Sequence, residues 1–71
     1  MSDWLPVMNS SNVSAVREDP DRAELYVRFK DGSMYTYSSV PEGIAQQLLE
    51  APSPGRFVRE DLAIYQYERR G

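Results

Sequence analysis

Four groups of side chains in this sequence have types and spacings that could carry chemistry. Tyr35 and Tyr37 stand two apart, which puts both rings on one face of a strand, where they could stack on nucleobases. Ser53, Gly55 and Arg56 flank Pro54 at the start of a predicted helix, and with Tyr37 they could hold a small anion on a hydroxyl, a guanidinium and first-turn amides. Glu18, Asp19, Asp21 and Glu24 crowd one predicted turn and offer oxygen ligands for a hard cation. Tyr26, Arg28, Tyr65, Tyr67, Arg69 and Arg70 mix rings with cations, as a surface for nucleic acid or a protein partner would.

Each group also has a plainer reading, and in most cases it is the stronger one. Tyr35 and Tyr37 beside Leu25 and Val27 read as core residues whose hydroxyls reach the rim. Ser53 reads as a helix N-cap and Arg56 as a solvated or ion-paired side chain, because the longer glycine-rich phosphate loop with its lysine is absent. The four carboxylates fit no calcium loop and read as a solvated turn, so no metal is expected. Arg59, Glu60 and Asp61 read as an exposed helix face. Trp4 reads as a packing anchor that ties an N-terminal arm to the sheet.

Catalysis lacks its usual parts. The sequence has no histidine and no cysteine, which excludes imidazole base chemistry, thiolate nucleophiles and the commonest transition-metal ligands. Its single lysine, Lys30, sits beside a predicted exposed turn with nothing to lower its pKa. A non-enzymatic protein with no cofactor is therefore expected. The 71 residues allow one domain, which buries only about 60% of the surface its unfolded chain exposes. With neither disulfide nor metal to staple it, self-association or a partner interface is a reasonable expectation. Eleven acidic against eight basic residues give a formal charge of -3 and oppose generic attraction to phosphate backbones. The N-terminus lacks the basic and apolar regions of a signal peptide, and no segment approaches a membrane span, so a soluble, cytoplasmic protein is expected.

The positioning elements follow from pattern and punctuation. An irregular arm over residues 1–9 leads into a first strand, Val13 to Glu18, closed by the turn Asp19-Pro20-Asp21. Glu24 to Lys30 alternates, with Leu25, Val27 and Phe29 on one face and Tyr26, Arg28 and Lys30 on the other. Asp31-Gly32 signals a hairpin into a strand from Met34 to Ser38. A two-residue loop would put the tyrosines on the Tyr26 face, whereas a three-residue loop with Gly32 as bulge pairs Phe29 with Ser33 and groups them with Leu25 and Val27. The second register is favoured because it collects the large apolar side chains on one face. Ser39 or Val40 would cap a helix from Pro41 to Ala51, and Ser53-Pro54 would start a second running to Leu62 or Ile64. Residues 63–67 are open between helix end and strand. The expected fold is α+β: a three-stranded antiparallel β-meander followed by one long and one short helix packed on the sheet, with an optional short C-terminal strand.

In that order and spacing, Ser10-Ser11, Asp19-Pro20, Leu25-x-Val27-x-Phe29, Asp31-Gly32, Tyr35-x-Tyr37, Val40-Pro41, Leu48-Leu49 and Ala51-x-Ser53-x-Gly55-Arg56-Phe57 make the chain resemble the KTSC domain. This small module occurs at the C-terminus of some lysyl-tRNA synthetases and as a stand-alone bacterial or phage protein. The resemblance implies an RNA-binding accessory role, and for a stand-alone member a phage-associated regulator. The tail departs from the family's basic pattern, because Glu60, Asp61 and Glu68 interrupt the arginines. The leading expectation is thus a binding module for a protein or a small anionic ligand, with RNA binding as the alternative and a homo-oligomer in view.

Overall fold

The computed structural model describes residues 4–71. Five strands form one antiparallel sheet in chain order: β1 (Leu5–Pro6), β2 (Val13–Asp19), β3 (Glu24–Phe29), β4 (Met34–Ser38) and β5 (Gln66–Arg69). Between β4 and β5 the chain forms α1 (Ile44–Glu50) and then a continuous helical stretch over residues 54–64. That stretch begins as the α-turn Pro54–Arg56, widens into a π-turn at Phe57–Asp61 and tightens to a 3-10 turn at Leu62–Ile64.

Local chemistry explains most of these boundaries. The β3–β4 hairpin has the bulged register: Val27 opposes Tyr35 and Leu25 opposes Tyr37. Phe29 N–H donates to the Ser33 carbonyl at 2.9 Å and Gly32 N–H to the Phe29 carbonyl at 3.0 Å. Gly32 sits at φ 94°, a conformation that a Cβ disfavours. Asp31 holds the loop by accepting from Ser33 N–H at 2.9 Å and Ser33 Oγ at 2.7 Å.

A second irregularity, at Ser14, shifts the pairing from Val13↔Phe29 to Ala15↔Arg28. One extra residue there lets Val13 and Val16, three apart, both enter the core, which strict alternation forbids.

The core lies between one face of the sheet and the helices. Leu25, Val27, Val13 and Val16 meet Leu48 of α1 and Leu62 of the C-terminal helical stretch, and all six side chains are fully buried. Ile44 and Ala45 add to the buried stripe of α1, as helical spacing requires. Burying a side chain of this kind stabilises the fold by about 1.5–3 kcal/mol relative to leaving it exposed.

Several expectations are corrected. The sheet has five strands rather than three. β1 arises within the arm expected to be irregular, pairing Leu5 with Val16 and Pro6 with Ala15. β5 begins only at Gln66, because Leu62–Ile64 complete the helical stretch, and it pairs with β4 with Tyr67 opposite Tyr37. The first helix starts at Ile44, not Pro41, and Gly43 at φ 90° is its N-cap. Ser39 adopts φ 59° and buried Val40 donates its N–H to the Ala23 carbonyl, so this segment is fastened to the β2–β3 turn before a helix can begin.

Glu18 supplies the missing cap from 25 residues away. Its carboxylate accepts from Gly43 N–H at 2.9 Å and Ala45 N–H at 3.0 Å. The reading of Glu18 as part of a solvated turn is thereby corrected, since its charge faces the positive end of α1. Asp19 keeps a turn role, accepting from Arg22 N–H.

Candidate functional site

The sheet and the C-terminal helical stretch leave a groove between them. Its floor is an aromatic row contributed by three strands. Phe29 meets Tyr35 edge-on at 5.4 Å between centroids, and Tyr67 lies 5.7 Å from both Tyr35 and Tyr37. The bulged hairpin places Phe29, Tyr35 and Tyr37 on one face, and the β4–β5 register brings Tyr67 onto the same face. Val58, Arg59 and Ala63 form the helical wall, while Asp31 and Ser33 close the hairpin end. The groove is open to solvent and has a volume of about 380 Å³, within the range of small-molecule sites.

The polar groups of the groove are few and distinct. Burial raises the Tyr37 hydroxyl above the ordinary tyrosine value, and the neighbouring Tyr35 and Tyr67 hydroxyls add to the effect. Tyr37 therefore stays a neutral donor at physiological pH. The Ser33 hydroxyl and amide hold the Asp31 carboxyl below the usual carboxylate range. Among the described residues Arg59 forms no ion pair, which leaves its guanidinium available to an anion at the groove wall.

The anion site expected from Tyr37, Ser53, Gly55 and Arg56 does not assemble. Tyr37 lines the aromatic groove, whereas Ser53 and Arg56 line a separate depression with Glu60 and Asp61. Ser53 Oγ accepts from Arg56 N–H at 3.4 Å, and Arg56 Nε donates to Glu60 Oε2 at 3.0 Å. Both groups already have partners. A methyl group added at Gly55 would meet Asn12 and Ser10 at ordinary van der Waals distance, so the site does not require a glycine for space.

The six residues expected to form one nucleic-acid or partner surface fall on two faces. Tyr26 and Arg28 lie on the face away from the helices, where Tyr26 opposes Arg17 and Arg28 opposes Ala15. Trp4 packs there 6.5 Å from Tyr26, with the Arg28 guanidinium 4.2 Å above its ring, and Arg17 covers Tyr26 at 5.5 Å. Trp4 thus anchors the arm as expected. The Tyr26 hydroxyl donates to Glu24 at 2.7 Å, and this bond, followed by burial, raises its pKa.

Tyr67 instead belongs to the groove, and half-buried Tyr65 packs on the core. Arg69, opposite Tyr35, donates through Nε to the Gly71 carbonyl at 3.0 Å. Arg70 pairs with Glu68 at 3.4 Å. No group of acidic residues among those described is arranged to hold a metal ion. No helix among them is long and apolar enough to cross a membrane.

Sequence reasoning missed Phe29, Ser33, Arg59 and Ala63 as groove lining, and Trp4 and Arg17 as members of the open face. The bulged register carried the signal for Phe29. Arg59 follows Val58 in the second helix, but its approach to the tyrosines depends on how the helical stretch packs on the sheet, which could not be read locally.

Comparison with known proteins gives a consistent result. The family model described as KTSC domain matches residues 9–64, ending just before β5. An uncharacterised protein of Stutzerimonas stutzeri is 41% identical over 49 residues, spanning 69% of this chain and 69% of that protein. A protein of Tsukamurella paurometabola is 41% identical over 51 residues, covering 72% of this chain and 76% of its own length. The crystal structure of a KTSC domain protein from Yersinia pestis superposes with a TM-score of 0.84 at 30% identity, covering 100% of both chains.

Proposed function

This chain belongs to the KTSC domain family, and on that premise we propose that it is a non-enzymatic binding module whose ligand is a small anion carrying a flat ring. The observation that carries this reading is an aromatic groove with an arginine in its wall that has no ion pair among the described residues. A planar group lying on Tyr35 and Tyr67 gains about 1–3 kcal/mol from stacking. A carboxylate or phosphate reaching Arg59 adds about 1.5–3 kcal/mol through a charge-assisted hydrogen bond. Before the loss of translational freedom is subtracted, these terms sum to about 2.5–6 kcal/mol, which supports weak binding, in the millimolar range.

The test is a ¹H–¹⁵N correlation titration with aryl phosphates and aromatic carboxylates. Amides of Tyr35, Tyr37, Arg59 and Tyr67 are expected to shift together, and Arg59→Ala to weaken binding roughly tenfold or more. If no groove resonance moves with any of these compounds, the reading is wrong.

A second reading rests on the two guanidinium–aromatic stacks of the open face. There Arg28 could receive a phosphate of single-stranded RNA, the accessory role that the family resemblance implies. Affinity would then fall with salt at a log–log slope of about 0.7 per phosphate contact, and Arg28→Ala would remove about one contact from that slope. Absence of RNA binding at low salt removes this reading.

A further inference from the structure

β5 is an open edge with a defined hydrogen-bonding side. Arg70 N–H donates to the Met34 carbonyl at 2.6 Å, in register with Thr36 opposite Glu68 and Ser38 opposite Gln66. Bonded pairs alternate along an antiparallel ladder, so residues 66, 68 and 70 direct their backbone groups at β4. Tyr67 and Arg69 direct theirs outward.

All four residues of β5 are exposed. Beside this edge, Tyr67 and Ile64 leave 59% and 79% of their surfaces in solvent. The opposite edge is protected, since β1 has two residues and one is Pro6, which lacks an N–H. Among the described residues β5 has no proline, bulge or covering segment, and its blunting is limited to its four-residue length and the opposite charges of Glu68 and Arg69.

We propose that β5 pairs antiparallel with β5 of a second copy of this chain, about a two-fold axis through Tyr67, joining two sheets into one of ten strands. An axis normal to the sheet opposes residues of the same face, so it passes through either Tyr67 or Glu68. An axis at Glu68 would set two carboxylates directly against each other, which destabilises a pair. The axis at Tyr67 instead opposes Tyr67 to Tyr67, Gln66 to Glu68 and Tyr65 to Arg69. These are an aromatic pair, an amide–carboxylate pair and a cation–aromatic pair, each favourable across strands. The same axis makes Tyr67 a shared wall, so that two aromatic grooves meet as one trough. The pairing does not depend on what fills them.

Sedimentation equilibrium of the full chain is expected to give twice the 8.1 kDa chain mass at high concentration and dissociation on dilution. The register can be read by disulfide trapping, because the chain has no cysteine of its own. Opposed bonded residues have Cα atoms about 5.5 Å apart, which a disulfide spans. Tyr67→Cys is therefore expected to oxidise to a covalent dimer, and a mixture of Tyr65→Cys with Arg69→Cys chains, both of which keep Glu68, to cross-link where neither does alone. Gln66→Lys, facing Glu68, should tighten the dimer and Gln66→Glu loosen it, by roughly threefold or more each. A wild-type chain that stays monomeric throughout, or one that associates while Tyr67→Cys fails to trap, overturns the proposal. A monomer that still binds aromatic anions would overturn the pairing alone and leave the groove reading intact.

Discussion

At the residue scale, two carboxylates have definite structural work. Glu18 accepts from two amides at the start of α1, groups that have no partner within the helix itself. Glu18→Ala is expected to cost about 1–3 kcal/mol in urea denaturation, the range for leaving part-buried donors unsatisfied. Glu18→Gln keeps an acceptor and should cost less. Equal losses in the two variants would mean that the bonds, as drawn, are not what stabilises the helix start. Asp31 differs in that its pKa is lowered chiefly by the Ser33 hydroxyl. A carboxyl acidified in the folded state contributes stability above its unfolded pKa, and that contribution is lost as pH falls through the lowered folded value. Ser33→Ala should move the Asp31 titration upward, toward the ordinary carboxylate range, when followed by NMR. An unchanged titration would show that the amide and not the hydroxyl sets the shift.

At the element scale, glycines separate turn geometry from site chemistry. Gly32 at φ 94° enables the bulged hairpin that carries the aromatic row. Gly32→Ala is expected to destabilise by about 1–2 kcal/mol, the penalty of a Cβ in left-handed backbone. Gly55 lies in an α-turn with room for a methyl group, so Gly55→Ala should be neutral or stabilise by about 0.4–1 kcal/mol. Paired thermal melts check both, and a damaging Gly55→Ala would reopen a close-approach role for that residue. What could be read from the sequence follows the same division. β2, β3, β4, the hairpin register and the helical run from Pro54 were legible because alternation, Asp31-Gly32 and Ser53-Pro54 are local signals. The start of α1 was not, because its cap comes from Glu18 on a distant strand and no short window contains both. β1 and β5 are too short to show a period, and they exist because the edges of β2 and β4 accept them. The candidate site failed for a related reason. Tyr37 and Arg56 looked compatible in chemistry, but the packing of the helical stretch placed them in different depressions, and it brought Arg59 to the tyrosines instead.

At the scale of the whole molecule, stability is concentrated in few side chains. At about 0.05–0.15 kcal/mol per residue, a chain of this length has roughly 4–11 kcal/mol in total. Leu62 joins the C-terminal helical stretch to the core and is fully buried. Leu62→Ala should remove about 2–5 kcal/mol, enough to lower the melting temperature by roughly 10–30 °C. A small shift would mean that the helical stretch is not part of the cooperative unit. With so thin a core, burial gained at the β5 edge is large in proportion, and association becomes visible in melting itself. Any species that binds the folded chain raises its apparent stability by mass action, so the melting temperature of a chain paired through β5 must rise with its own concentration. Tyr67→Pro is the decisive variant. It removes an outward N–H while leaving the bonds of residues 66, 68 and 70 to β4 available. The concentration dependence is therefore expected to vanish in Tyr67→Pro, while the melt at high dilution falls only by what the lost ring contacts with Tyr35 and Tyr37 contribute. A melting temperature independent of concentration in the wild-type chain would show that the edge remains unpaired and that the single domain stands on its own core.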